Sequence, residues 1–422
     1  MYERPVTIPR HLYVHAPFCA RRCSYCDFAV HVARRPPVEA WLAAIEGELR
    51  LQLEAGGWNA PLPLDTLYLG GGTPSLLGTG AAAALRDRLA PLASAPALEW
   101  TAEANPESFD AVLANDWRAA GVTRLSLGVQ TFHSPALRWM GRLHGPDGPA
   151  RAMAAARDAG FDDVSVDLIF ALPAELERDW RDDLERALAL EPEHVSLYGL
   201  TAEPAAALGR WVREGRAALP DDERYRDEYL LAVETLTAAG YEHYEVSNFA
   251  RPGHRSRHNR AYWTGASYLG LGPGAHSHAP PRRWWNVRDW NRYAQAVAEG
   301  DAVEDAEIVE RETDRLERVW LGLRHDGGWR AAGGGAEAEA EAEAEAEAEA
   351  EAEPVRRLLD GWQAQGWLRS RWPVTLTAEG WLLLDRLAVE LDDALDRADA
   401  VVDAPSERRP HSARPHEARA EV

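Results

Sequence analysis

The sequence predicts an α/β fold: a partial (β/α)6 TIM-like barrel followed by a smaller C-terminal, mostly helical domain. Apolar, β-branched runs alternate with helical patterns six times in the first 240 residues, and this alternation is typical of parallel sheets. The later part of the chain has mostly helical spacing. With 422 residues, of which 46% are hydrophobic, the chain is long enough for one large domain and a smaller one.

The six strand patterns of the predicted barrel are HLYVHAP, DTLYLGGGTPS, ALEWTAEANP, VTRLSLGVQTF, DDVSVDLIFALP and HVSLYGLT. Helical patterns follow them, among them VEAWLAAIEGELRLQLEAGG, which ends at a glycine. In SFDAVLANDWRAAG, Ser108 is the predicted N-cap. Right-handed crossovers would place the carboxyl ends of all six strands on one face.

The predicted barrel covers residues 1–250, and the C-terminal domain covers residues 251–397. Alanine and glutamate alternate through residues 336–353, which interrupt that domain. This period distributes glutamates all around a helix, so no apolar face is left to pack. We interpret the repeat as a solvated helix or a disordered insert, and the polar residues 398–422 as a disordered tail.

The charge of the chain is strongly acidic, at −22 formally and about −13 without the nine glutamates of the repeat. This balance argues against a broad phosphate-binding surface, and we expect no nucleic-acid partner. The N-terminus has no apolar signal segment, and no window approaches the ~18 apolar residues of a membrane span. We therefore expect a cytoplasmic protein with no membrane span, in which thiols stay reduced.

All three cysteines of the chain, Cys19, Cys23 and Cys26, lie within eight positions. A disulfide framework would leave one thiol over. A structural zinc site needs a fourth ligand, which His15 or His31 would have to supply. In an iron–sulfur cluster with four irons, three thiolates leave one iron open to a substrate or cofactor. Three buried structural thiols are the remaining alternative.

Polar residues and glycines lie where the predicted strands end. The cysteines follow the first strand, GGGTP follows the second, Glu103 and Gln130 end the next two, and Asp167 lies within the fifth. Singly, each has a structural explanation as a tight turn, a helix cap or a buried carboxylate. Together they predict a ligand site, because active sites of parallel α/β folds lie at this face.

The C-x3-C-x2-C spacing, with Tyr25 before the last cysteine, resembles the signature of the radical S-adenosylmethionine (SAM) family. YVHAPFC, GGGTP, VQTF and VDLIFALP resemble the same family. The resemblance implies a 4Fe-4S cluster held by the three cysteines, with SAM at the open iron. It implies SAM-binding roles for Tyr13, Tyr25, Gly71, Gly72, Thr73, Glu103, Gln130, Arg142, Asp167 and, by a weaker match, Thr201.

The residue types suit those roles. Acceptors such as Glu103, Gln130 and Asp167 are appropriate partners for an ammonium group and ribose hydroxyls. Arg142 is an appropriate partner for a carboxylate. Glycines without Cβ let the backbone approach a ligand closely.

A narrower resemblance involves the start of the barrel. The segment Y-x-H-x-P-F-C is similar to that of the oxygen-independent coproporphyrinogen III oxidase family. Those oxidases have a glycine and a fourth cysteine after the third cysteine, where this chain has Asp27 and Phe28. The cysteine motif also begins at residue 19, without the long N-terminal arm expected of the oxidase. Both departures indicate the sister group, the HemW haem chaperones.

Residues 241–278 also resemble HemW, and the similarity covers about residues 11–330 and part of the C-terminal segment. The motif H-N-x-x-Y-W, associated with haem binding in that family, is present as His258, Asn259, Tyr262 and Trp263. A neutral imidazole is a good axial ligand for haem iron, and aromatic rings pack on porphyrin faces. From the residues alone the role of this histidine stays open, with His254, His276 and His278 as rival ligands.

Two functions follow from these resemblances. The first is a haem chaperone that binds haem, a 4Fe-4S cluster and SAM, and transfers haem to acceptor haem proteins of unknown identity; no catalytic residue is assigned. The alternative is a coproporphyrinogen dehydrogenase-like oxidoreductase. There, SAM cleavage yields a 5′-deoxyadenosyl radical and porphyrinogen propionates are decarboxylated to vinyl groups. Asp27, Phe28 and the HNRAYW segment favour the chaperone.

Overall fold

A single large sheet organises the chain in the computed structural model, which describes residues 8–58, 61–89, 94–330 and 352–402. The strands are β1 His11–Ala16, β2 Phe18–Cys19, β3 His31–Val32, β4 Leu64–Gly71, β5 Ser94–Ala104, β6 Arg124–Gln130, β7 Val164–Phe170, β8 His194–Gly199, β9 Glu242–Glu245, β10 Asn248–Ala250, β11 Tyr268–Leu271, β12 His276–Ala279, β13 Arg282–Asn286, β14 Val303–Ile308, β15 Leu368–Arg371 and β16 Val374–Leu376.

The α-helices pack mainly on the outer face of this sheet and in a C-terminal group. They are α1 Val38–Gly56, α2 Ala81–Arg88, α3 Ala111–Ala120, α4 Ser134–Met140, α5 Gly148–Asp158, α6 Trp180–Ala189, α7 Ala207–Arg213, α8 Asp222–Ala238, α9 Arg257–Trp263, α10 Trp290–Glu299, α11 Arg311–Leu323, α12 Glu353–Ala364, α13 Ala378–Trp381 and α14 Leu384–Val402. Short 3-10 turns cover Pro74–Leu77 and Ala174–Leu176.

The strand order of the 12-stranded sheet is β14-β13-β12-β11-β1-β4-β5-β6-β7-β8-β10-β9. From β11 to β8 every neighbour pair is parallel, and the strands beyond β11 and β8 are antiparallel. All six strands predicted from the sequence are therefore confirmed as one parallel run. In the part of the chain that the structure describes, β9 and β14 are not paired with each other, so the barrel is partial.

The core lies between the sheet and its helices. Leu12, Val14, Leu67 and Leu69 alternate along β1 and β4 on the helix-covered face and are nearly or fully buried. Trp41 of α1 is also buried, and its indole N–H donates to the carbonyl of His15 at 3.0 Å. Complete burial of such a side chain contributes roughly 1.5–3 kcal/mol, so α1 is firmly anchored behind the strand that leads to the cysteines.

Helix ends agree only in part with the sequence prediction. Helix α1 stops at Gly57, which adopts the left-handed conformation (φ 62°) that favours glycine. The N-cap of α3 is Asp110, whose carboxylate accepts from the N–H of Leu113 at 2.9 Å, and not Ser108. The Ser108 hydroxyl instead makes a 2.7 Å hydrogen bond with the hydroxyl of Ser75. Ser108 and Asp110 are both good capping residues, so the sequence pattern alone does not decide which of them begins the helix.

The large sheet continues across residue 250, where the sequence analysis placed a domain boundary. Strands β11 to β14 extend the sheet beside β1, and Leu269, Leu271 and Trp284 belong to its hydrophobic core. A second core unites α11, α12, α13, α14 and the β15–β16 hairpin, and includes Val319, Trp362 and Trp381, for example. The mostly helical C-terminal unit is thus present, with its core built from residues 319–395.

The alanine–glutamate repeat lies outside the described residues except for its last two positions, of which Glu353 begins α12. Helix α14 runs past residue 397 to Val402, and residues 403–422 lie outside the described part. Among the described helices, none combines the length and apolarity needed to cross a bilayer.

Candidate functional site

A cavity of about 850 Å³ opens at the carboxyl ends of the parallel strands. Its wall contains residues from the loops after β1, β4, β5, β6, β7 and β8. Most of the predicted site residues meet here: Cys19, Cys23, Tyr25, Cys26, Gly71, Gly72, Thr73, Glu103, Gln130, Arg142, Asp167 and Thr201. The structure therefore brings together the predicted cluster ligands and nine of the ten predicted SAM-binding residues.

The segment between Cys19 and Phe28, here called the cysteine loop, is fixed by backbone hydrogen bonds at several points. Strands β2 and β3 pair in parallel on either side of it, and the N–H of Ala33 donates to the carbonyl of Cys19 at 2.9 Å. Within the loop, the N–H of Ser24 donates to the carbonyl of Met140 at 3.0 Å. These hydrogen bonds hold the three cysteines in place at the cavity wall.

Polar groups adjoin two of the three thiols. The Thr73 hydroxyl donates to Cys19 Sγ at 3.4 Å, and Arg142 Nη1 lies 3.9 Å from Cys23 Sγ. Burial raises the pKa of Cys19 to about 11 and also raises the pKa of Cys26. Metal binding deprotonates thiols, so occupation by iron would release protons here.

The thiol arrangement fits a cluster better than a single ion. Within the described ranges, no three His, Cys, Asp or Glu side chains are grouped as the ligands of one metal ion. A 4Fe-4S cluster makes a different demand, since each thiolate binds a separate iron of a larger body. Three free cysteines around one cavity satisfy that demand and leave a fourth iron for another ligand.

The glycines of the GGGTP segment have a packing role that the sequence analysis did not foresee. A Cβ on Gly72 would lie 2.8 Å from the carbonyl oxygen of Phe18, and a Cβ on Gly71 would collide with the His15 ring. Gly71 also has φ of 112°, in the region that favours glycine. These glycines allow the end of β4 to pack directly against the strand that carries the cysteines.

Glu103 is a buried carboxyl at the cavity wall. Its oxygens accept from the Tyr68 hydroxyl and from the Gly71 N–H, each at 2.9 Å. Burial, reinforced by the nearby Asp167 carboxylate, raises the pKa of Glu103 to about 7. The group therefore changes charge near neutral pH.

Asp167 supplies a second carboxyl on the neighbouring part of the wall. The Ser126 hydroxyl lies 3.0 Å from Asp167 Oδ1 and donates to the carboxylate. Burial raises the pKa of Asp167 to about 6. Two carboxyls that ionise near neutral pH make this wall suitable for a cationic ligand with hydroxyl groups.

Three polar side chains converge above Gly128 in the middle of the cavity floor. A Cβ at this glycine would lie 2.9 Å from Asn105 Oδ1, 3.0 Å from Gln130 Nε2 and 3.3 Å from Arg142 Nη2. Arg142 Nη2 donates to Asn105 Oδ1 at 2.7 Å and to the Gly128 carbonyl at 2.5 Å. Arg142 Nε is buried without a hydrogen-bond partner, which suits the predicted role of Arg142 as a carboxylate ligand.

Tyr13 and Thr201 are placed differently from the other predicted SAM-binding residues. Tyr13 does not line the cavity, and its hydroxyl is 2.9 Å from His15 Nδ1. Thr201 does line the cavity, but its side chain is exposed and donates to the Gly199 carbonyl at 3.3 Å. Because Tyr13 does not line the cavity and its ring contacts that of Tyr68, it lies behind the cavity wall.

The HNRAYW segment forms α9 and lies away from the cavity. His258 is 1% exposed, and both ring nitrogens are hydrogen-bonded: Nδ1 to the Thr66 hydroxyl at 2.7 Å and Nε2 to the Tyr262 hydroxyl at 2.9 Å. Burial lowers the pKa of His258 to about 3, so the ring is neutral. An iron ion at either nitrogen would have to replace one of these hydrogen bonds.

The other motif residues and the rival histidines have separate surroundings. The guanidinium of Arg324 lies 4.2 Å from the centre of the Trp263 ring, and the N–H of Asn259 donates to the capping hydroxyl of Ser256. His254 is 3.5 Å from Asp163. His276 stacks on Trp285, and His278 lies beside Tyr268.

Sequence reasoning missed several residues that line the cavity. Ser126 lies on the same face of β6 as Gly128 and Gln130, so the period of two along the strand would have found it. Tyr198 near the end of β8 could have been found in the same way as the other strand-end residues. Arg21 and Arg22 of the cysteine loop carried no comparable signal.

Comparison with known proteins gives the class of this fold and site. The family model of the Radical SAM superfamily matches residues 13–187. The solved structure of coproporphyrinogen III oxidase (HemN) from Escherichia coli superposes with a TM-score of 0.75 at 24% identity, covering 92% of this chain and 91% of that chain. The chain therefore has the radical SAM fold.

The relatives with higher sequence identity define a narrower family within this class. Heme chaperone HemW of Mycobacterium tuberculosis (strain H37Rv) is 42% identical over 294 residues, which are 69% of this chain and 75% of that protein. Heme chaperone HemW of Bacillus subtilis is 35% identical over 75% of this chain and 83% of that protein. The chain belongs to the HemW family of radical SAM proteins.

Replacing any one of Cys19, Cys23 and Cys26 by serine is expected to abolish the broad visible absorption of an iron–sulfur cluster after anaerobic reconstitution. The physical reason is that the weakly acidic hydroxyl of serine replaces a thiolate ligand. Ser24→Ala, in the same loop, is the matched control and should reconstitute like the wild type. A complete cluster spectrum in a cysteine variant would reject the ligand assignment.

SAM affinity is expected to rise between pH 6 and pH 8, because Glu103, with its pKa at about 7, becomes an anion in this range. A cationic ligand gains from that charge, by at most about tenfold per pH unit. Isothermal titration calorimetry of the cluster-loaded protein at several pH values measures this. Glu103→Gln should flatten the profile, whereas the exposed Glu175→Gln should not; a steep profile in Glu103→Gln would contradict the assignment.

Proposed function

We propose that this protein is a haem chaperone that binds haem, a 4Fe-4S cluster and SAM and transfers haem to acceptor haem proteins. The observation that carries the proposal is its membership of the HemW family, with relatives named heme chaperone that align over about three quarters of their length. The H-N-x-x-Y-W motif of that family is complete in α9.

The cluster and SAM belong to the cavity in this proposal. Cys19, Cys23 and Cys26 would hold the cluster, and the cluster together with SAM would supply one-electron chemistry. Arg142, which lines the cavity, would bind the carboxylate of SAM. Glu103 and Asp167 attract the cationic and hydroxyl groups of the same ligand, since both line the wall. Gln130 adds an amide beside Arg142.

Haem binding in this proposal involves α9, with His258, Asn259, Tyr262 and Trp263 as the residues concerned. The neutral state of His258 is the one that an axial ligand requires. The hydrogen bonds to Thr66 and Tyr262 mean that ligation needs a local rearrangement of α9. The hydrogen bond to Thr66 ties the ring to β4, and the hydrogen bond to Tyr262 lies within α9.

The alternative function is the oxidase. The same cavity, in which three thiols and a set of polar groups surround about 850 Å³ of space, would hold the cluster and SAM for this function as well. Asp27 and Phe28 occupy the positions after the third cysteine where the oxidases have a glycine and a further cysteine, and they favour the chaperone.

The test of the proposed function uses one anaerobically reconstituted sample. Haem is added to one part and followed by its Soret band; coproporphyrinogen III, SAM and a reductant are added to another, and products are separated by chromatography. A stoichiometric haem complex without protoporphyrinogen supports the chaperone. Turnover to protoporphyrinogen with release of 5′-deoxyadenosine would reject it in favour of the oxidase.

His258→Ala is expected to weaken haem binding, because it removes the proposed axial ligand. Titration followed by the Soret band gives the affinity. His133→Ala is the matched control, since this histidine is neither in the motif nor among the rival ligands, and its Nε2 contacts the Leu176 carbonyl at 2.9 Å. Unchanged haem affinity in His258→Ala would place the ligand elsewhere.

A further inference from the structure

A buried ionic network lies behind the cavity, at the carboxyl ends of β6 and β7. It consists of Asp183, Arg178 and Glu228, whose side chains are 1%, 0% and 11% exposed. Arg178 bridges the two acids, with Nη1 at 3.4 Å from Asp183 Oδ2 and Nη2 at 2.5 Å from Glu228 Oε2. None of the three lines the cavity. Their hydrogen bonds nevertheless reach the chain just after β6 and β7, two strands that contribute residues to the cavity wall.

Both strand ends adopt unusual backbone conformations. Gln130, the last residue of β6, has φ of 68°, and Ala171, the residue after β7, has φ of 57°. Residues other than glycine avoid this left-handed region, because the Cβ atom crowds the backbone. Such corners persist only where the surrounding structure holds them, and they are common at functional sites.

The network supplies the contacts that hold both corners. Asp183 accepts from the Thr131 hydroxyl at 2.6 Å and from the Phe132 N–H at 2.7 Å, the two residues after Gln130. Glu228 accepts from the N–H of Ala171 at 2.7 Å. Each acid is thus placed on the turn that follows one strand, and Arg178 joins them.

The first of these corners determines where the Gln130 side chain lies. With its backbone in the left-handed region, Gln130 directs its amide over Gly128, beside Asn105 and Arg142. The register of β6 against β7 shifts between Gly128 and Gln130, which pairs with Leu168, so the regular alternation of the strand is interrupted at this corner. Asp183 fixes the turn with two hydrogen bonds from the far side.

We infer that Asp183 is a positioning residue for the SAM site: through Thr131 and Phe132 it holds Gln130 in the conformation that places its amide in the cavity. The inference rests on the proposed function, because it takes the cavity as the SAM site. Asp183 lies on α6 and does not line the cavity, so this role is indirect.

The alternative is that the network has only a structural role: removal of one partner would destabilise the barrel by leaving a buried charge unpaired, without a specific effect on a ligand. The two roles differ in one respect. A positioning residue acts through Gln130, so its effect on SAM affinity should vanish once the Gln130 side chain is absent. Substitution of a purely structural residue would change SAM affinity to a similar degree whether the Gln130 side chain is present or not.

The experiment is a double-mutant cycle of Asp183→Asn and Gln130→Ala in the cluster-loaded protein, read out as SAM affinity by isothermal titration calorimetry. Asp183→Asn alone should weaken binding on the order of tenfold, which is a typical coupling between neighbouring groups. In the Gln130→Ala background the same substitution should change affinity by less than about twofold.

Two further variants keep the test decisive. Thr131→Val removes one of the two donors that the turn after β6 offers to Asp183, with little change of volume. It should weaken SAM binding in the same direction even if Asp183→Asn folds poorly. Asp179→Asn is the control on the same helix, because Asp179 caps α6 and has no contact with the turn after β6 among its described hydrogen bonds. It should leave SAM affinity unchanged.

Each outcome has a distinct meaning. Equal losses of affinity from Asp183→Asn in both backgrounds, or an unchanged affinity in Asp183→Asn and Thr131→Val, would overturn the positioning role while leaving the proposed function intact. A wild-type protein that carries the cluster but does not bind SAM would overturn both.

Discussion

The parallel register between β1 and β4 is the constraint on which the candidate site depends. His15 pairs with Gly70, and Ala16 pairs with Gly71, so the cysteine loop and the glycine turn leave the sheet at the same level. The N–H of Gly72 then donates to the Ala16 carbonyl at 2.8 Å. A shift of one residue would exchange the two faces of β4 and remove both the cavity wall and the apolar packing behind it.

Strand β4 also connects two parts of the molecule that are distant in sequence, helix α9 and the cavity wall at Glu103. The His258 ring lies 5.0 Å from the Tyr68 ring, and the Tyr68 hydroxyl donates to Glu103 in the cavity. Thr66, at the start of the same strand, holds the other side of His258. The helix of the H-N-x-x-Y-W motif and the wall of the cavity are therefore linked through one strand.

Local sequence patterns sufficed for the order of the parallel strands and for the polar residues at several strand ends, because alternation and strand-end position are properties of short segments. The cysteines, Glu103 and Asp167 were found in this way. The sequence patterns failed where residues that are distant in sequence determine the structure. Tyr13 lies behind the wall, Asp183 acts from a helix, and β11 joins the sheet beside β1 through a pairing of residues more than 250 positions apart. None of these relationships leaves a trace in a short window of sequence.

The pairing of β2 with β3 has a consequence for the positions of the thiols. Phe18 pairs with His31 and Cys19 with Val32, so the loop that carries the thiols is closed at its base by the backbone itself. Cys19 belongs to one strand of this pair, whereas Cys23 and Cys26 lie within the closed loop. The length of the chain between the paired strands therefore limits how far apart the three thiols can lie, and an insertion between Cys19 and His31 would alter the frame that holds them.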